Sequence, residues 1–292
     1  MELVRATRKK SKLRLNLSAV SGAGKTMSAL LMAKGLVGDW SKIAVIDTES
    51  GSASLYSHLG GFFTLDLKPP FSPERYIEAI NKCLDAEIEC IILDSATHEW
   101  NGEGGCLQIN QSIANSQFKG NTWAAWSVVN PRHDAFVSKI LHSPAHFITC
   151  TRSKDETVMG DDRKVKKVGI KDIQREGWEY ELTVSLHIDR DSHKASAVGG
   201  KDRTGRFEVM DPFIITEKTG EMIRDWCNEG VDMDVTERDI IIGKLESALS
   251  MDELKSIWLS HSQTISRLSS KDQAMIDSTK SMMKTKLSQS NE

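Results

Sequence analysis

No two cysteines stand at C-x-x-C spacing, no apolar run approaches the length of a bilayer span, and neither sign of charge dominates. The first absence argues against a disulfide framework. The five cysteines, Cys83, Cys90, Cys106, Cys150 and Cys227, are odd in number, and Cys90 and Cys150 lie in apolar, strand-like runs, so reduced structural thiols are expected. The second absence, with charged residues from position 2 to 14 in place of an apolar leader, sets the expectation of a cytoplasmic protein that makes no membrane contact. The third, a net charge of -3 from 38 basic and 41 acidic residues, leaves no global electrostatic signature for nucleic acid. Such a partner would have to be met by local basic patches. Internal repeats are lacking too, and no glycine follows Gly243.

What is present begins with residues 12–26, KLRLNLSAVSGAGKT. Leu13, Leu15 and Leu17 alternate with Arg14, Asn16 and Ser18 at the period of a strand, which runs into a turn closed by Gly22, Gly24, Lys25 and Thr26. The glycines let the backbone of Ser21, Gly22, Ala23 and Gly24 curl so that successive N–H groups face one point. The helix beginning near Lys25 adds the positive end of its dipole there, which makes a cradle for a polyphosphate. Lys25 would meet the β- and γ-phosphates, and the Thr26 hydroxyl would ligate the Mg²⁺ that bridges them. Ala19 stands where the G-x-x-x-x-G-K-[ST] pattern begins with glycine, a change that is tolerable where φ need not be positive.

The rest of the chain supplies residues for the same edge. An apolar strand over 42–47, KIAVID, is followed by Thr48 and Glu49. That places Glu49 on the carboxyl edge of a parallel sheet, where a carboxylate can orient and deprotonate water. The next buried strand, 89–94, ends in Asp94, whose carboxylate would hold Mg²⁺ through its water shell. Residues 96–129 read as irregular; Trp100 suits either packing or stacking on a base, while Trp123 and Trp126 stand at helical spacing and are expected in the core. His98 has no second ligand at metal spacing. A helix is expected over 131–141 and a strand over 145–151, whose end brings Thr151 or Arg152 to the nucleotide edge.

Residues 154–175 then carry Arg163, Lys164, Lys166, Lys167, Lys171 and Arg175, either a solvated hairpin or a basic loop that tracks a nucleic-acid strand. Residues 179–189 and 193–198 read as antiparallel strands framing a turn that aims Lys201 and Arg203 outward. A helix over 217–226 completes the core. Beyond it Ile240, Ile241, Leu245, Leu249, Leu254, Ile257, Trp258, Ile265 and Leu268 suggest two or three short amphipathic helices. The whole reads as α/β: a P-loop NTPase core over 13–229 with a mostly parallel sheet and an antiparallel extension, a basic arm over 1–12, and a helical appendage over 230–292.

With Glu49 in place the chain resembles a RecA-type recombinase core. More specifically it is similar to the phage-encoded AAA-type or RecA-like ATPases regarded as single-strand annealing proteins. The likeness spans about 12–228 and rests on SGAGKT, IDTESGSASLY, the stretch from IILDS to THEWNGEGG, PRHDAF, RSK and KDRTG. The resemblance implies a RecA-like fold, ATP with Mg²⁺, Glu49 acting on water, Tyr56 stacking on adenine, and Lys201 and Arg203 reaching the ATP of a neighbouring subunit in a homo-oligomer. It also implies single-stranded DNA as partner, a single-strand-binding protein beside it, and the host-cell cytoplasm as the place of action. The sensor glutamine of RecA proteins is absent from 149–152. Two other functions compete with DNA-dependent annealing: a nucleotide-switched loader for a replication protein, and, with less to support it, a small-molecule kinase.

Overall fold

A computed structural model describes residues 8–159, 165–208, 210–230, 233–266, 268 and 270–289, with the side chains of 155–159, 165–170, 198–200, 233–237 and 289 outside that description. Strand β1 (Arg14–Ala19) runs through the glycine turn into α1 (Lys25–Val37). Strands β2 (Ile43–Asp47) and β3 (Phe63–Asp66) flank a 3-10 segment, Ser52–Leu59, and α2 (Pro73–Asp85) leads to β4 (Cys90–Asp94). Next come α3 (Thr97–Asn101), α4 (Cys106–Gln117), α5 (Thr122–Leu141), β5 (His146–Met159), β6 (Val165–Asp172), α6 (Trp178–Glu181), β7 (Val184–Ile188), β8 (Ala195–Asp202) and α7 (Glu217–Asn228).

The sheet runs β3-β2-β4-β5-β1-β7-β8, and every neighbour pair is parallel except β7–β8; β6 pairs antiparallel with the far half of β5. The α/β reading with a mostly parallel sheet therefore holds, and its antiparallel extension is the β7–β8 pair together with the β5–β6 ribbon. Residues 179–189 open with α6, and β7 runs parallel to β1. The physical reason is the return path: the chain comes back to the start of β1, where Thr183 N–H donates to Arg14 O at 2.7 Å, before β7 begins.

Every residue of β1, β2 and β4 is buried. Helices cover both faces of a parallel sheet, so the polar members of the β1 alternation go inward as well and must find partners. Arg14 donates to the carbonyls of Leu13, Ala145, Leu141 and Ser143, and Asn16 bonds Thr149, Thr151 and Asp172. One apolar layer gathers Tyr76, Phe136, Phe147 and Trp178, with α2 and α5 joined by a bidentate Glu74–Arg132 pair at 2.6 and 2.8 Å. Helix α1 meets α7 almost backbone to backbone. A Cβ on Gly35 would lie 1.8 Å from Glu217 O and one on Gly220 would lie 2.1 Å from Met32 O, so only glycine permits this crossing.

Residues 96–129, expected to be irregular, form α3, α4 and the first turns of α5, and α5 passes through Pro131 instead of starting there. Its buried face is Ala125, Val129, His133, Phe136 and Ile140. Trp123 lies two residues before that face, about 200° round the helix, and is 85% exposed, which overturns its place in the core. Trp126 lies on the flank and stacks on Trp100 with centroids 5.3 Å apart, so Trp100 packs against protein.

A second compact unit holds residues 8–11 with 227–289. Its helices are α8 (Met233–Glu246), α9 (Met251–Ser260), α10 (Ser262–Ile265) and α11 (Ser270–Gln289), four where two or three were expected. Ile241, Leu245, Leu254, Ile265, Ile276 and Met283 form its core. Leu249 and Ile240, expected on the apolar face, are 88% and 52% exposed; Leu249 precedes the cap of α9, where its N–H donates to Glu253, and so lies outside any helix. Ser11 N–H donates to Cys227 O and Arg8 pairs with Glu229 at 2.7 Å, so residues 8–11 of the basic arm belong to this unit.

Candidate active site

Strand register explains why distant residues converge. Asp47 is level with Asp94, Asp94 with Cys150, and Cys150 with Leu17, so the chain leaves β2, β4, β5 and β1 along one edge. Just past β1, Gly22 and Gly24 take φ values of 81° and 93°, a left-handed backbone that glycine adopts without strain. Gly24 is the N-cap of α1 and supplies no side-chain acceptor, which leaves the first N–H groups of the helix for an anion. The space beside Gly22 is open: a Cβ there would meet nothing within 4 Å.

Lys25 is buried and donates to Ala19 O and Val20 O at 3.2 and 3.1 Å, so its ammonium is held under the loop. Thr26 Oγ1 donates to Asp94 Oδ2 at 2.5 Å, which couples the loop to β4. Burial pushes the Asp94 carboxyl up to about 6, with Glu49 adding to the rise and the Thr26 hydrogen bond opposing it. A buried carboxyl of this kind is the environment that a divalent cation would relieve.

The other side of the edge is built from the turn after β2. Asp47 is fully buried and accepts from the N–H groups of Glu49 at 2.6 Å and Ala53 at 2.8 Å, fixing the turn that presents Glu49. Arg152, at the level of Ala19, donates to Glu49 Oε1 from Nε and Nη2 at 3.1 and 2.9 Å. With side chains 28% and 44% exposed, this pair is worth about 1 kcal/mol or less, so a phosphate can displace it. Thr48 ties the turns together: its hydroxyl accepts from Ser95 N–H at 2.8 Å and meets His98 Nδ1 at 2.7 Å. His98 stacks on Phe71, and burial followed by the nearby Arg152 charge lowers its pKa.

The structure thus brings Gly22, Gly24, Lys25, Thr26, Glu49, Asp94 and Arg152 to one edge. Tyr56 lies in the 3-10 segment with its ring 6.4 Å from that of His58. Lys201 is the penultimate residue of β8 and Arg203 begins the next turn; both donate to Tyr180 O, at 2.9 and 3.0 Å, because α6 presents that carbonyl beside them, and Arg203 stays exposed. Arg163 and Lys164 lie outside the described residues, and Lys166 and Lys167 are placed by backbone alone in β6. Lys171 lies 3.8 Å from Glu176, and Arg175 donates to Asp134 at 2.7 Å.

Several groups escaped the sequence reading. Asp47, Thr48 and His98 position the Glu49 turn. The Asp172 carboxylate accepts from Ser18, Asn16 and Thr151 beside the end of β1. His193, from the β7–β8 turn, places Nδ1 3.1 Å from Ala23 O. Only the D-x-E spacing after a strand announces Asp47 as a cap; the rest depend on long-range pairing.

A glycine turn between a buried strand and a helix, closed by Lys-Thr and facing an aspartate on another parallel strand, defines a P-loop nucleotide-binding domain. A family model described as an AAA domain matches residues 11–209, more than half of the chain, and the protein belongs to this AAA-type P-loop ATPase family, whose members generally use a nucleotide and Mg²⁺. No curated protein matches the sequence. Among the described residues no helix is long and apolar enough to cross a membrane.

Proposed function

We propose that this domain binds ATP with Mg²⁺, hydrolyses it, and uses the cycle to act on single-stranded DNA in recombination by strand annealing. The observation that carries the ATPase reading is the pairing of Thr26 with Asp94 opposite the pairing of Glu49 with Arg152 on one sheet edge. Lys25 and the N–H groups of Ser21, Gly22, Ala23 and Gly24 hold the phosphates. Thr26 and Asp94 are the residues that would hold Mg²⁺, which when bound would supply charge neutralisation at the phosphates. Arg152 turns to the terminal phosphate, which frees Glu49 to take a proton from the attacking water. Tyr56 packs against the base.

The DNA reading rests on the β5–β6 ribbon. Strand β5 continues beyond the level at which β4 ends and pairs with β6, where Lys154 stands opposite Lys171 and the backbone of Thr157 opposite that of Lys167. Like charges directly across a ladder cost stability, a cost that a polyanion removes. Lys201 and Arg203, released from Tyr180, serve the nucleotide of an adjacent subunit in a homo-oligomer. The test is the ATPase rate with and without single-stranded DNA at two salt concentrations, with Lys25→Ala as control. Salt-sensitive stimulation is expected. Turnover indifferent to DNA would favour the nucleotide-switched loader, and no turnover in either condition would remove the ATPase reading.

A further inference from the structure

Away from the nucleotide edge, helices α3, α4 and α5 bring one polar side chain each to a single point. Glu99 and Cys106 have no solvent exposure and His133 is 3% exposed. Cys106 Sγ lies 3.1 Å from Glu99 Oε1, and His133 Nδ1 lies 3.0 and 3.1 Å from the two carboxylate oxygens. All the donor atoms lie within 4.8 Å of one another. We propose that Glu99, Cys106 and His133 bind one Zn²⁺ ion, a site separate from the nucleotide edge that ties the three helices together.

The chemistry of the donors selects the ion. A thiolate, an imidazole nitrogen and a carboxylate suit Zn²⁺, whereas Mg²⁺ and Ca²⁺ want oxygen alone. With Cys106 and Glu99 each contributing one negative charge and His133 neutral, a divalent ion makes a water-free site electrically neutral. Ligands at 2.0–2.3 Å from a tetrahedral ion stand about 3.5 Å apart. The present 3.0–3.1 Å separations therefore open by roughly half an ångström when the ion replaces the thiol and imidazole protons. Both Glu99 oxygens face His133, so a bidentate carboxylate with Nδ1 and Sγ provides four donors without water.

The backbone is shaped for this convergence. Gly105 N–H donates to Gly102 O at 2.9 Å, and a Cβ on Gly105 would lie 2.6 Å from His98 O and 2.7 Å from Glu99 O. Only glycine lets the chain fold over α3 and set Cys106 against Glu99. Trp100 meets the His133 ring edge-on at 5.4 Å, with Phe136 at 6.3 Å, walls that keep solvent out. The ion would also brace the nucleotide edge, because α3 begins at Thr97, whose hydroxyl accepts from Arg152 N–H at 2.8 Å.

The full chain, purified without chelators, equilibrated with Zn²⁺ and exchanged into metal-free buffer, is assayed by elemental analysis. About one zinc per chain is expected, falling below about a tenth in Cys106→Ser and His133→Gln. Cobalt-loaded wild type should show a thiolate-to-cobalt charge-transfer band that Cys106→Ser abolishes. The wild-type band stands on its own if either variant fails to fold. Wild-type protein that retains no zinc and shows no such band holds only a hydrogen-bonded triad, and overturns the proposal. A band that survives Cys106→Ser places the ion elsewhere and overturns it equally.

Discussion

The edge where β1, β2, β4 and β5 end and the turn where β8 ends both gather charged side chains, but they hold them differently. At the first, each side chain is held by an element distant in sequence: Thr26 by Asp94, Glu49 by Arg152, and Thr48 by Ser95 and His98. At the second, Lys201 and Arg203 share one backbone carbonyl, Tyr180 O, and Arg203 stays exposed. The first arrangement is preorganised, because its geometry is set by buried strands that cannot shift singly. Exposed contacts, those of the second kind and the partly exposed Glu49–Arg152 pair alike, are worth little and are easily exchanged for others. A chemical step belongs at the first edge, and a contact made only on assembly belongs at the second.

The largest effect expected is in Glu49→Gln, with turnover falling about 10²–10⁴-fold while nucleotide affinity stays within a few-fold, as steady-state kinetics beside a binding titration will show. Normal turnover would take the chemistry away from this edge. Lys25→Ala should weaken nucleotide binding about 100-fold, since it removes charge-assisted contacts to phosphate; titration with a fluorescent nucleotide measures it. The firmness of the edge has its own test in α1, which carries Lys25 and Thr26 and leans on α7. Gly35→Ala should destabilise the domain by about 1–3 kcal/mol in urea unfolding, because backbone and not a flexible side chain must give way.

A smaller, pH-dependent effect comes from His146, which accepts from Leu13 N–H at 3.0 Å where β1 begins. Burial, followed by the charges of Lys12 and Arg14, pushes its pKa down to about 3. The unfolded chain takes up the proton near its ordinary value, so this contribution to stability is complete above about pH 6.5. It is lost as pH falls towards 3, at up to roughly 1.4 kcal/mol per pH unit. His146→Asn keeps an acceptor and removes the titration, so its unfolding free energy should change less between pH 7 and pH 5. An equal slope in both proteins would assign the acid sensitivity to other groups. Least affected should be Arg203→Ala, with stability unchanged within about 0.5 kcal/mol. Mixed with Lys25→Ala, it should recover part of the ATPase activity if the second region acts across subunits. No recovery in mixtures shown to co-assemble would leave Arg203 tied to Tyr180.

By itself the sequence determined the elements whose signal is local. The alternation of Leu13, Leu15 and Leu17, the small residues before Lys25, and the apolar runs ending at Asp47 and Asp94 define strands, the phosphate loop and the α/β class, because period and turn chemistry follow from backbone geometry over a few residues. Tertiary structure alone decided which distant groups meet. Arg152 faces Glu49 only because β5 is inserted between β1 and β4, and β7 is parallel only because the chain returns to the start of β1 through α6. Trp123 shares helical spacing with Trp126 but turns away, since spacing places two side chains near one face without saying which face is covered. Arg14, Asn16 and Ser18 carry the pattern of an outward face yet lie inside, because helices cover both sides of the sheet. Pairing depends on where long segments close in space, and residues more than a hundred positions apart carry no local signature of that closure.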